Sequence, residues 1–306
     1  MKSLLKRSLP ETVKRPLRRF YYKWRGKSPV GVWPPGHYYS PIPSREEIEE
    51  RLRRMPAEPP ETLPGIDLRP EAQRAFLADY ARYYEELPFP ETAESGFRYY
   101  YENDFFSYAD GIFLYCFLRH FRPRRIIEVG SGYSSALMLD TAERFLDPRP
   151  QMTFIEPYPE RLEQLLRPSD EQFVEIRRER LQDVPSTAFA ELQAGDFLFI
   201  DSSHVLKCGS DVQYLLFDIL PALAPGVFVH FHDVFYPFEY PAHWLREGRY
   251  WNEDYFLRAF LYGNSLWEIV FFNTYVGKFF RPEIEKSMPL CVRNPGGSLY
   301  LRRKEE

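Results

Sequence analysis

The sequence has 306 residues, of which 44% are hydrophobic and 17% aromatic, and its net charge is −4. That composition supplies a sizeable core and excludes wholesale disorder. No apolar run approaches the roughly 20 residues that a membrane span needs. The three cysteines, Cys116, Cys208 and Cys291, are widely spaced and show neither a disulfide framework nor zinc-ligand spacing. They point to a reducing, cytoplasmic compartment.

Charge is unevenly placed. Residues 1–30 hold ten Lys/Arg and one Glu, a charge of +9, so the rest carries about −13. Residues 1–27 lack the long apolar core of a secretory signal. Their basic residues alternate with apolar ones and lead to Phe20, Tyr21, Tyr22 and Trp24. Such an arm suits peripheral contact with an anionic membrane surface. Nucleic acid is the less favoured partner, and a solvated or partner-packed arm is the plain alternative. Residues 28–97 form a proline-rich extension with a short charged helix predicted at 44–54 and a second helix at 71–87. Phe76, Tyr80, Tyr83, Tyr84 and Leu87 fall on one face of that second helix. The main domain is expected over 98–306, with a helix at 109–121 that contains the apolar run IFLYCFL.

From Arg125 short apolar runs alternate with helical stretches. Strands are predicted at 125–130, 152–157, 173–178, 196–201 and 226–231, with helices near 133–146, 159–167, 186–193 and 209–223. The alternation implies right-handed βαβ units and an α/β, doubly wound, mostly parallel sheet covered on both faces. An aromatic-rich insertion, 235–262, follows the fifth strand. Two further strands at 266–275 and 298–303, the latter after the turn NPGG, bring the sheet to seven.

Ligands of such sheets bind beyond the carboxyl ends of the strands, so those ends carry the information. The first strand ends EVGSGYSS. Gly130 and Gly132 permit a tight turn, and Ser134 and Ser135 open a helix whose free N–H groups attract polar ligands. Glu128, inside the strand, would repel a pyrophosphate and suits a cofactor carrying positive charge. Position 135 is Ser where a dinucleotide fingerprint has glycine, which argues with Glu128 against a nicotinamide oxidoreductase. Glu156 ends the second strand, where an acid can accept from ribose hydroxyls. Asp183, after the third strand, is a candidate acceptor for an adenine amino group, and Tyr158 a candidate cover for the adenine face.

IIEVGSGYSS, Glu156, FIDSSH and LAPGVFVHFHD together resemble a class I S-adenosylmethionine-dependent methyltransferase, over roughly residues 98–303. Within that class the chain is similar to the bacterial small-molecule group that includes the macrocin-type O-methyltransferases. The resemblance implies a Rossmann-like, seven-stranded sheet with a reversed last strand and S-adenosylmethionine as cofactor. Glu128 would lie near the methionine amino group, Gly130, Gly132, Ser134 and Ser135 under the cofactor, Glu156 on the ribose, and Asp201 at the cofactor mouth.

Methyl transfer to an alcohol needs alignment and removal of a proton, for which a neutral imidazole near pH 7 is suited. His204 is therefore the candidate base. The resemblance makes the fourth and fifth strands neighbours, so Asp201 and Asp233 should lie close together. Adjacent carboxylates repel unless a cation separates them, which suggests a divalent metal on Asp201 and Asp233 with His232 as nitrogen ligand. The related D-G-D-H pattern is here D-S-S-H, with Ser203 in place of the second acid. His230 reads as a hydrogen-bonded core histidine. The acceptor is expected to be a small molecule or saccharide. The alternative is a catalytically silent protein of the same fold that binds the cofactor or serves as a scaffold.

Overall fold

The computed structural model describes residues 16–17, 20–21 and 31–305. The basic arm 1–27, and with it the expected membrane contact, lies almost wholly outside the described residues. Among the described residues no helix is long and apolar enough to cross a membrane.

The described residues form two compact units, one of those up to residue 57 with 242–250, the other of residues 58–241 with 251–305. In the smaller, helix α1 (Arg45–Arg54) starts at Ser44, whose hydroxyl accepts from the Glu47 amide while the Glu47 carboxylate accepts from the Ser44 amide. This reciprocal cap satisfies two N-terminal donors. Glu49 of α1 pairs with Arg246 at 2.8 and 3.0 Å.

The larger unit holds a seven-stranded sheet in the order β3-β2-β1-β4-β5-β7-β6. The strands are β1 (Arg125–Val129), β2 (Gln151–Ile155), β3 (Val174–Arg177), β4 (Phe197–Ile200), β5 (Phe228–His232), β6 (Trp267–Phe272) and β7 (Ser298–Arg303). β1 to β5 pair in parallel, whereas β7 runs antiparallel to both β5 and β6. Every residue of β4 and β5 is buried, as a sheet covered on both faces requires. Helix α2 (Pro70–Tyr84) contributes Leu77 and Tyr80 to the same core, and eleven of the fourteen residues of helix α3 (Tyr108–Phe121) are buried.

Helix α4 (Tyr133–Phe145) is tied to the segment before α3 by Arg98. That side chain is buried and pairs with Asp140 of α4 at 2.6 Å, with Glu143 at 2.8 Å and with Asp170 at 2.6 Å. The second Asp140 oxygen accepts from the backbone amides of Arg98 and Tyr99 at 2.7 and 3.0 Å. The guanidinium fork suits such a site because it meets several carboxylate oxygens at once.

Two expected helices differ from the observed chain. The stretch 209–223 breaks into a short α-turn (Asp211–Tyr214), a π-turn (Leu215–Ile219) and a 3-10 turn (Leu220–Ala222). The stretch 186–193 forms only the 3-10 turn Ser186–Ala188. Its few apolar residues, among them the buried Phe189 and Leu192, reach the core without paying for helix nucleation. A cleft of about 330 Å³ runs there along β1–β3, lined by residues that include Arg125, Gln151, Thr153, Glu175 and Phe189. None of the candidate site residues lines it.

Candidate active site

The strand ends meet because the first turn lets them. Gly130 has φ +76°, and a Cβ there would lie 2.1 Å from the Asp201 carbonyl oxygen, so only glycine fits. The Asp201 amide donates to the Val129 carbonyl at 2.8 Å, and the Gly130 amide to the Ile155 carbonyl at 3.0 Å. The ends of β1, β2 and β4 are thereby joined. Gly132 has an extended φ, and a Cβ there would meet the Arg161 side chain at 3.3 Å.

Glu128 is fully buried in β1. Ser134 donates to it at 2.6 Å, and Ser135 donates to its other oxygen while accepting from the Gly132 amide at 2.9 Å. The two serine hydroxyls thus serve the acid. Burial pushes the Glu128 carboxyl up to about 8, against the opposing pull of the serine hydroxyls. Glu156 takes the Ser131 amide at 3.1 Å on one oxygen and the Tyr158 amide at 2.8 Å on the other. It braces the glycine turn. Asp183 lies on an exposed 3-10 turn, paired with Arg180 at 2.8 and 3.0 Å, and Tyr158 is 77% exposed.

Beyond β4 and β5 the acids and histidines form one cluster. Nε2 of His204 lies 3.3 Å from Asp201 and 3.7 Å from Asp233. Its Nδ1 lies 2.9 Å from Glu253. Nδ1 of His232 is 3.5 Å from Asp201, and its Nε2 is 3.6 Å from Asp110 and 3.9 Å from Asp233. His204 and Asp233 both adopt left-handed backbone, with φ of 59° and 56°. Each such non-glycine residue costs on the order of 1–2 kcal/mol, so the surrounding structure must hold them there.

The electrostatics follow from that packing. Burial alone would lower the His204 pKa, but Asp201 and Glu253 outweigh it and hold the ring up at about 10. His204 is therefore an imidazolium at pH 7, where the sequence suggested a neutral base. His232 is raised as well, its burial outweighed by Asp233 and Asp201. Burial works to raise Asp201, yet the nearby positive charge of His232 and His204 holds it well below the usual carboxylate range. Asp233 is raised, chiefly by burial. The two imidazolium rings supply the positive charge that the sequence assigned to a metal. Among the described residues no group of three or more His, Cys, Asp or Glu side chains is arranged to hold a metal ion.

His230 stacks on Phe199 at 4.0 Å, which fits its expected place in the core. Neither of its ring nitrogens has a hydrogen-bond partner, contrary to the expectation, and burial pulls its pKa down. Ser203 gives its amide and hydroxyl to Asp211 at 2.7 and 2.5 Å, so a carboxylate from the next helix stands beside the serine.

Two acids escaped sequence reasoning. Asp110 sits in α3, otherwise almost wholly apolar, and one of its oxygens accepts from Ser298 at 2.6 Å, Gly297 at 3.0 Å and Asn273 at 3.1 Å. A lone acid at the start of such a helix was the available signal. Glu253 belongs to the triplet Trp251–Glu253 of the aromatic insertion. In the fold the triplet surrounds His204. The Trp251 ring lies 4.4 Å from the His204 ring, and the Asn252 and Glu253 amides donate to the His204 carbonyl at 3.0 and 3.2 Å.

Residues 127–234 match the family described as "Methyltransferase domain". The chain carries a methyltransferase domain over those residues. Its seven-stranded sheet with an antiparallel last strand, β7, is the one that the resemblance implied. An uncharacterized protein of Archaeoglobus fulgidus is 37% identical over 133 residues, covering 42% of this chain. The chain spans 59% of the length of that curated relative. Among solved structures, the methyltransferase domain and its flanks are similar to the O-methyltransferase TomG of Streptomyces achromogenes, solved with S-adenosylmethionine. That likeness has 19% identity and a TM-score of 0.41, covering 75% of this chain and 90% of that one. They are also similar to a methyltransferase of Podospora anserina bound to S-adenosylhomocysteine, at 13% identity and a TM-score of 0.35, covering 86% of this chain and 98% of that one.

Proposed function

We propose that the protein transfers a methyl group from S-adenosylmethionine to an oxygen of a small molecule or glycan intermediate, with His204 taking the acceptor proton. What supports this reading most is Asp201. Its backbone touches Gly130 beside the cofactor turn, and its carboxylate touches both His204 and His232. One residue therefore joins the candidate cofactor side to the candidate chemical side.

The residues present suit the cofactor. Glu128 is a buried acid that no Lys, Arg or His pairs with among the described residues, and a cationic ligand would favour its ionised form. Each Glu156 oxygen has two lone pairs, so the acid can accept from ribose hydroxyls while bracing the turn. Asp183 would receive the adenine amino group in exchange for part of its contact with Arg180. Bound S-adenosylmethionine supplies a methyl group already activated on a sulfonium. The chain's part is to align the acceptor hydroxyl and draw off its proton. His204 does so in its neutral form, with Asp201 and Asp233 stabilising the imidazolium that results. The three free thiols, Cys116, Cys208 and Cys291, accord with a cytoplasmic setting.

Calorimetry with S-adenosylhomocysteine and a labelled-methyl screen over hydroxylated acceptors test the reading together. Binding with turnover is expected. Binding with no turnover on any acceptor favours a silent cofactor-binding protein, and absence of binding sinks the methyl-transfer reading and leaves the scaffold. The same screen after exhaustive chelation examines a divalent ion on Asp201, Asp233 and His232. Unchanged turnover is expected; turnover lost on chelation and restored by Mg²⁺ would return a metal to the site. Peripheral membrane contact by residues 1–27 is carried by charge pattern alone. Flotation of the intact chain with anionic vesicles, lost on deletion of 1–27, is the expected result, and no flotation by the intact chain ends that idea.

A further inference from the structure

We infer that Glu253 is a positioning residue for His204: it holds Nδ1 so that Nε2 faces the opening between Asp201 and Asp233. The inference rests on the methyl-transfer reading above for its purpose, but its geometry stands by itself.

Four observations converge. The Glu253 carboxylate lies 2.9 Å from Nδ1, and its side chain is 1% exposed. Ser202 donates to both Glu253 oxygens at 3.0 Å and accepts from the His204 amide at 3.0 Å, which locks acid, serine and histidine into one ring of contacts. The His204 carbonyl accepts from the Asn252 and Glu253 amides, while the Asn252 side chain accepts from the Leu206 amide at 2.6 Å. Trp251 packs on the imidazole at 4.4 Å and fixes the plane of the ring. The opposite edge of the ring faces only partly buried acids, since Asp201 is 39% and Asp233 20% exposed. An acceptor hydroxyl can therefore approach Nε2 and not Nδ1.

A buried acid on one imidazole nitrogen sets which nitrogen does chemistry. When the ring is neutral, Nδ1 keeps its proton for Glu253 and Nε2 carries the lone pair. When Nε2 gains the acceptor proton, Glu253 shares the new positive charge with Asp201 and Asp233. Without Glu253, the ring can turn Nδ1 or its carbon edge toward the opening, and the base is lost while the cofactor side is untouched. The insertion after β5 is then the back wall of the base, built from residues distant in sequence from His204.

The test is Glu253→Gln, which keeps size but removes the negative charge and leaves one acceptor oxygen where the carboxylate had two. In the wild type, NMR of histidine-labelled protein should show a protected His204 Nδ1 proton, assigned by its absence in His204→Gln. In Glu253→Gln that proton signal should move upfield or vanish. Turnover on the acceptor found by the screen should fall about a hundredfold or more, as when the orienting acid of a catalytic histidine is neutralised. Affinity for S-adenosylhomocysteine should stay within about twofold, since Glu253 touches none of the cofactor candidates. Ser202→Ala, which releases the carboxylate without removing it, should show the same changes in smaller measure. Unchanged turnover with an unchanged Nδ1 signal in Glu253→Gln overturns the inference. So does loss of cofactor binding in both variants, which would make the pair a folding element. A wild type that shows the protected proton but binds no S-adenosylhomocysteine retires the methyl-transfer reading and leaves the positioning contact intact.

Discussion

Replacing His204 by alanine should lower methyl transfer by about 10²–10⁴-fold, the usual contribution of a positioned proton acceptor. Affinity for S-adenosylhomocysteine should be unchanged, because Glu128, the Gly130 turn and Glu156 are held by contacts that do not involve the ring. The wild-type rate should also depend on pH in a particular direction. A His204 that takes the acceptor proton must act in its neutral form, and carboxylates hold its pKa at about 10. The neutral fraction therefore rises tenfold for each pH unit below that value. The turnover rate should climb with pH through neutrality and level off near 10, and the climb should be absent from the residual rate of His204→Ala. A rate that is flat from pH 6 to 9 in the wild type would show that another group takes the proton. A His204→Ala variant with normal turnover would dismiss the ring altogether.

The second large effect concerns stability. Arg98→Ala should destabilise the larger unit by about 3–5 kcal/mol, because it leaves buried carboxylates without their cation. Asp140 and Asp170 are almost fully buried, and Arg98 bonds both at 2.6 Å. The melting temperature should fall by roughly 10 °C, which a thermal scan reads directly. Arg98→Lys keeps the charge but lacks the fork, so it should lie between the two. Asp140 belongs to α4, the helix that begins just after the glycine turn. The alanine variant should therefore also bind S-adenosylhomocysteine more weakly, unlike His204→Ala. If Arg98→Ala melts within 1–2 °C of the wild type, buried carboxylate pairing is not what anchors this helix.

Much of the fold was legible because buried strands leave a plain mark. RIIEV, FLFI and FVHFH are continuous apolar runs with abrupt polar ends, and they form β1, β4 and β5 close to where the pattern places them. The strand-end rule then led to Glu128, Gly130, Glu156, Asp201, His204, His232 and Asp233. Helix type was harder to read where the signal was short. Residues 186–193 have too few apolar positions to distinguish a helix from a turn that merely inserts Phe189 and Leu192.

The sequence by itself determined the class of fold, the strands that bear the site and the glycine that joins them, since each depends on local pattern or on a backbone conformation that one residue type allows. Only the tertiary structure decided the chemistry of the cluster. Glu253 lies 49 residues from His204, and Asp110 comes from a helix that precedes β1. Their arrival changes the charge state of two histidines, because a pKa answers to distance and burial and not to neighbours in the chain. From the strand ends alone, paired acids asked for a metal and a lone histidine looked neutral. In the folded protein the histidines lie among four acids, carry the positive charge themselves, and one is held in place by the aromatic insertion.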